Sequence, residues 1–175
     1  AKPLDLVCSN LYDLNGNLLT DSTVFSLIIS DMKSPEVLTI DLNKPRVSDS
    51  LVGVGEYFVD VQFDEKMDTL VKPLVKHEAN QSLTNSIQYN FNASHFIDTL
   101  TYRAIFNVLD ENIEVDSISV LVDYGQDFSG NVQIPIVELN KTTLDTKNPQ
   151  VIGLYANDYT LSQVFDSLNI VALFD

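Results

Sequence analysis

The sequence has no tryptophan, one cysteine, two histidines and only 10 lysines and arginines in 175 residues. Each shortage removes a class of protein. Cys8 alone cannot form an internal disulfide, so the chain is not a disulfide scaffold. A chain of this length buries a core without staples, and Cys8 is expected as a small apolar residue of the first strand. Ten basic residues against 25 acidic ones give a formal net charge of −15. With no Lys/Arg cluster to neutralise phosphate, neither nucleic acid nor anionic lipid is an expected partner. No basic stretch followed by an apolar one opens the sequence, and no apolar run approaches the roughly 20 residues of a membrane span, so no membrane insertion is expected.

Catalytic and metal motifs are equally scarce. His77 and His95 lack partners nearby in sequence, and no Gly-x-Ser-x-Gly elbow, phosphate-binding glycine loop, His-Glu-x-x-His or Cys-x-x-Cys pair is present. No enzyme activity and no cofactor are expected, although a triad assembled only by the fold leaves no sequence trace. Asp13, Asn15 and Asn17 resemble the start of a calcium loop. Gly16, however, falls at the fourth position where the sixth is needed, and Val24 stands where a bidentate Glu belongs. Asp123 and Asp127, beside a loop spanning 125–131, are a second weak cation candidate; the expectation is no metal at either. Without Trp, the sugar-stacking aromatics left are Tyr12, Tyr155 and Tyr159.

What is abundant is β-forming sequence. Val and Ile together number 31, whereas Ala, the best helix former, numbers 6. Residues of alternating character recur from end to end, as expected of strands whose side chains point to opposite faces. Strands are expected over 4–8, 23–30 (apolar on both faces, hence interior), 38–42, 56–63, 83–91, 132–136, 151–156 and 169–174. Pro73 argues for an edge strand or a bend over 69–76, and Pro135 places 132–136 at an edge. Asn15-Gly16 marks a hairpin turn, while 43–55 and 140–149 read as loops. Thr160 to Leu168 is the only helix candidate. No convincing internal repeat is seen.

The longest two-residue periodicity lies between Phe96 and Tyr124. It reads as a hairpin in which Leu100, Tyr102 and Ala104 pair with Val122, Val120 and Ile118. That register puts Ile105, Leu109, Ile113 and Val115 on the face opposite the core, as a partner-contact surface, unless a β-bulge near Ser117 restores the phase.

These readings converge on an all-β protein: a single antiparallel β-sandwich or jelly-roll-like domain, 1–175, of about ten strands, with one short helix near 160–168. The alternative is two small β domains, 1–78 and 83–175. A non-enzymatic structural role follows, with a component of a bacteriophage particle (capsid decoration, fibre base or tail) as the leading expectation. Its partners would be other protein subunits, its own copies included, in a homo-oligomer located in the virion. A cell-surface adhesin or carbohydrate-binding module is the second expectation, and a hydrolase with a hidden triad the third.

Overall fold

A computed structural model describes residues 3–7, 12–18, 24–28, 31–156 and 169–175. Cys8, Tyr159 and the helix expected over 160–168 lie outside them. The described residues are nearly all β, in mainly antiparallel sheets, with no α-helix among them. Among the described residues thirteen strands run in chain order: β1 (Pro3–Val7), β2 (Val24–Ile28), β3 (Val37–Leu42), β4 (Arg46–Ser48), β5 (Gly53–Phe63), β6 (Leu74–Glu78) and β7 (Ile87–Tyr89). They continue as β8 (His95–Phe96), β9 (Thr101–Val108), β10 (Glu114–Asp123), β11 (Ile136–Asp145), β12 (Val151–Ala156) and β13 (Ile170–Phe174).

Two larger sheets carry the core. One has the order β3-β5-β9-β7, with β8 beside β9; the other has the order β4-β11-β10-β6. The expected pairing of Leu100, Tyr102 and Ala104 with Val122, Val120 and Ile118 does not form, because β9 belongs to the first sheet and β10 to the second. Their apolar residues nonetheless meet. Tyr102, Ala104, Phe106 and Val108 from β9 share one buried cluster with Ile118, Val120 and Val122 from β10. Alternation fixes which face of a strand seeks a core, but not which neighbour supplies its hydrogen bonds. Sharing one cluster from two sheets buries both runs without pairing them, and each large apolar side chain so buried contributes about 1.5–3 kcal/mol.

The bulge near Ser117 is present. Asp116 and Ser117 are both exposed, and the register against β11 shifts between Val115 and Ile118. The four expected contact residues differ in burial. Ile113 and Val115 pack against the shared core, whereas Ile105 is half-buried in the other sheet opposite Phe58 and Leu109 is 37% exposed.

Three other expectations are corrected. Among the described residues β2 pairs with β1 alone, in a separate two-stranded sheet, so there it is not an interior strand. The edge strand expected at 132–136 and the loop at 140–149 are replaced by β11, ten residues long and set between β4 and β10. Asn140 takes a positive φ of 53° there. The shift of phase lets Thr142 and Leu144 turn inward, where the Thr142 hydroxyl donates to the Pro45 carbonyl at 2.9 Å. A polar run can be a central strand when its inward hydroxyls find acceptors. Pro73 does precede an edge strand, β6. Finally, both larger sheets take strands from either side of Asn80, so a division between 78 and 83 would cut through both.

Candidate functional site

Two loops of the chain share a local sequence: Asp13-Leu14-Asn15-Gly16-Asn17 and Asp127-Phe128-Ser129-Gly130-Asn131. They also share a structure. In each, Oδ1 of the Asp accepts the backbone N–H groups two and four residues on, at 2.8–2.9 Å, and Oδ2 accepts the side-chain amide of the Asn. In each, the glycine N–H donates to the Asp carbonyl, and Gly16 and Gly130 have φ of 82° and 88°. That region suits glycine because it lacks a Cβ. Closing bridges link Tyr12 to Leu18 and Gln126 to Val132.

Their surroundings differ. Residues 12–18 are all exposed, whereas Asp127 is only 4% exposed. The second loop is tied down by a buried Gln133, whose amide donates to the Val122 and Ile134 carbonyls at 3.0 and 3.1 Å. Gly125 lies so close that a Cβ there would meet Met67 Cε at 2.8 Å and Gln133 Oε1 at 2.9 Å.

Around Asp127 an acidic cluster assembles from three distant segments. Carboxylate oxygens of Asp31, Glu65 and Asp127 lie within 4.8 Å of one another. Burial, joined by repulsion from Asp31, Asp64 and Asp127, raises the Glu65 pKa against the pull of Lys33. Burial also pushes Asp127 up, but hydrogen bonds from Asn131, Ser129 and Gly130 outweigh it and leave the carboxyl below its usual range. In the exposed loop the Asn17 hydrogen bonds lower Asp13. The trio has the oxygen chemistry of a hard-cation site, but three carboxylates are few against the six to eight oxygens calcium takes. Asp127 already accepts three hydrogen bonds, and Lys33 Nζ stands 3.6 Å from Glu65. Of the sequence candidates, Asp127 therefore joins a cluster with unforeseen partners. Asp123 stays outside it and accepts the adjacent Tyr124 N–H, and Asp13, Asn15 and Asn17 satisfy one another.

A second feature is a cleft of about 680 Å³. It lies between β6 and β7, which are the edge strands of the two larger sheets. Val75, His77, Leu83, Ile87, Tyr89 and Phe106 line its inner side, and the connection 79–84 forms its rim. His77 is buried and shares a 2.9 Å hydrogen bond between Nε2 and the Tyr57 hydroxyl, while its Nδ1 has no partner. The Phe106 ring meets it edge-on, with centroids 4.6 Å apart. Burial lowers the His77 pKa to about 4, so the ring is neutral at physiological pH. His95 is exposed, with Nδ1 2.9 Å from the Ala93 carbonyl.

The third feature is the ribbon formed by β12 and β13, which pair with each other and with no other strand among the described residues. Val151, Ile152, Leu154, Tyr155, Ile170, Val171, Leu173 and Phe174 are between 48% and 68% exposed. The register sets Tyr155 beside Val171 on one face and Leu154 beside Ala172 on the other, so both faces are apolar. Neither strand contains a charged residue. Both strands match the segments expected over 151–156 and 169–174. Tyr12 and Tyr155 are exposed, at 63% and 62%, as a sugar-stacking role would require. No known family model, curated protein or solved structure matches this chain.

Proposed function

We propose that the chain is a non-enzymatic interaction module whose two larger sheets stack as a single β-sandwich and whose β12–β13 ribbon joins it to further copies of itself. The observation that carries this reading is the ribbon: eight large apolar side chains, about half to two-thirds exposed on two strands. An isolated two-stranded ribbon is marginal in water. Exposed apolar patches of a monomer rarely exceed a few hundred Å². Covering these side chains removes several hundred Å² from water, on the scale of the roughly 800 Å² per partner of a stable interface. The rest of the chain is strongly acidic and repels its own copies, so an uncharged ribbon is where self-contact costs least.

Within that reading, a bacteriophage particle is the favoured setting, in keeping with an acidic, thiol-poor, all-β chain that lacks catalytic motifs. The exposed Tyr12 and Tyr155 favour a carbohydrate-binding surface protein as the second reading. Sedimentation over a range of concentrations tests the first. The chain should self-associate, and a Leu154→Asp/Val171→Asp variant should run as a monomer with an unchanged melting temperature. A wild-type chain that stays monomeric and binds glycans on an array overturns the assembly reading.

A further inference from the structure

We infer that His77 is an acid-operated latch between the two larger sheets: on taking up a proton it releases Tyr57 and frees β6 with the connection 79–84, while the other strands stay folded. The inference goes beyond the self-association reading and does not depend on it.

Geometry makes His77 the joint. It stands on β6, an edge strand of one sheet, and its Nε2 shares the 2.9 Å hydrogen bond with the hydroxyl of Tyr57, on β5 of the other. The Tyr57 and Phe106 rings pack on it with centroids 5.4 and 4.6 Å away. Val75, on the same face of β6, is fully buried, and Val120 is its partner across the ladder to β10. An apolar side chain would fill this place with no further demand. The imidazole brings a second nitrogen, Nδ1, that has no partner. Protonated, the ring has two N–H groups to satisfy and a charge to bury, and the Tyr57 oxygen answers only one of them.

Among the described residues no opposite charge faces the ring. The groups packed on it from β5 and β9 are a phenol and a phenyl, its partner on β10 is a valine, and β7 brings the neutral Tyr89 to the same cleft. Lys76 and Glu78 flank it on β6, but alternation points them to the opposite face, where they pair with each other at 3.0 Å. Burial is accordingly what holds the ring below its ordinary range.

The cleft gives the latch room to open. β6 has a ladder neighbour on one side only, β10, and the connection that follows carries the exposed Asn80, Gln81, Ser82 and Thr84. Such an edge can part locally without the whole chain unfolding. Opening sets His77 in water, where it binds a proton at its ordinary value of 6.5 against about 4 when closed. The closed value is the lower one, so the latch holds at neutral pH and loosens as pH falls below 6.5.

Amide hydrogen exchange on the full chain, corrected for its intrinsic pH dependence, tests this. Between pH 7 and pH 5 the opening constant over 74–84 should rise about tenfold or more, with β3, β5 and β9 little changed. His77→Gln keeps a hydrogen-bonding side chain beside Tyr57 without a titratable ring, and its exchange over 74–84 should not respond to pH. If that variant melts lower than wild type, His77→Phe takes its place and should be equally unresponsive. Groups that titrate elsewhere in this window are common to wild type and variants and cancel. Wild-type exchange over 74–84 that is the same at both pH values overturns the latch, as does an equal rise in the variants. A rise of equal size in every strand overturns the local opening.

Discussion

The loops 13–17 and 127–131 fold alike and live differently. Both close on an Asp that accepts its own backbone two and four residues later, and both need a glycine at positive φ. One is exposed along its whole length. The other sits beside Asp31 and Glu65 with its carboxylate buried. The comparison separates what a short sequence does for itself from what its surroundings do to it. In the exposed loop the carboxylate closes a turn that water could also satisfy. In the second loop the accepting carboxylate is itself buried, so the same bonds are its partners in place of water, and it also imposes its charge on Glu65.

The largest expected difference follows from removing the Asp. Asp127→Ala leaves the part-buried N–H groups of Ser129 and Asn131 and the Asn131 side-chain amide without their acceptor. Unsatisfied buried groups cost about 1–3 kcal/mol each, and part of that loss is offset by relief of repulsion with Glu65. A net destabilisation of about 2–4 kcal/mol should appear in urea unfolding, while Asp13→Ala should leave the midpoint unmoved. Equal effects at both positions would erase the distinction between the loops.

The glycines come next. Alanine at a left-handed position costs about 1–2 kcal/mol, and open space surrounds both sites, with nothing within 4 Å of an added Cβ. Gly130→Ala should lower global stability by about that amount. Gly16→Ala should pay the same strain locally, raising amide exchange across 12–18 without changing the global transition.

The smallest effect concerns Glu65. Its pKa is raised in the fold, so the charged form is penalised at neutral pH and the penalty fades as pH falls to the unfolded value near 4.5. Glu65→Gln should therefore melt slightly higher than wild type at pH 7, with the gap closing towards pH 4.5. Asp64 and Asp127, both lowered, withdraw their contributions only below about 3.8, outside that window. His77 acts in the opposite sense. Its folded pKa of about 4 lies below the unfolded 6.5, so stability is lost as pH falls between those values. That loss is common to wild type and Glu65→Gln and cancels in their difference. A gap that stays constant with pH would show that Glu65 is not held above its ordinary range.

Much of the fold was legible, and the failures share a cause. β5, β9 and β10 were readable because their apolar residues alternate, and the Pro73 edge because proline cannot donate to a ladder. β11 was not, because Asn140, Lys141, Thr142 and Thr143 look like a loop until the turn of phase at Asn140 aims Thr142 at a carbonyl. The site was less legible still. Asp127 was singled out, but Asp31 and Glu65 stand 96 and 62 residues before it, and no spacing rule joins them. The cleft depends on β6 and β7 being edges of separate sheets, which is a property of topology. The five-residue repeat was available to a closer reading, since three of its five residues are identical.

By itself, then, the sequence determined the local terms: which stretches extend, which faces are apolar, where an Asp and a glycine close a turn, and the large negative charge. Those follow from interactions spanning a few residues, where side-chain period and backbone sterics suffice. Only the tertiary structure decided that β9 and β10 join different sheets around one buried cluster instead of pairing, that one Asp turn has its carboxylate buried among others and its twin does not, and that β12 and β13 are left exposed. Each of these depends on which distant segments share a layer. Hydrophobic burial is non-directional and rewards any arrangement that removes the same area from water, so the choice among such arrangements lies in the whole chain's packing.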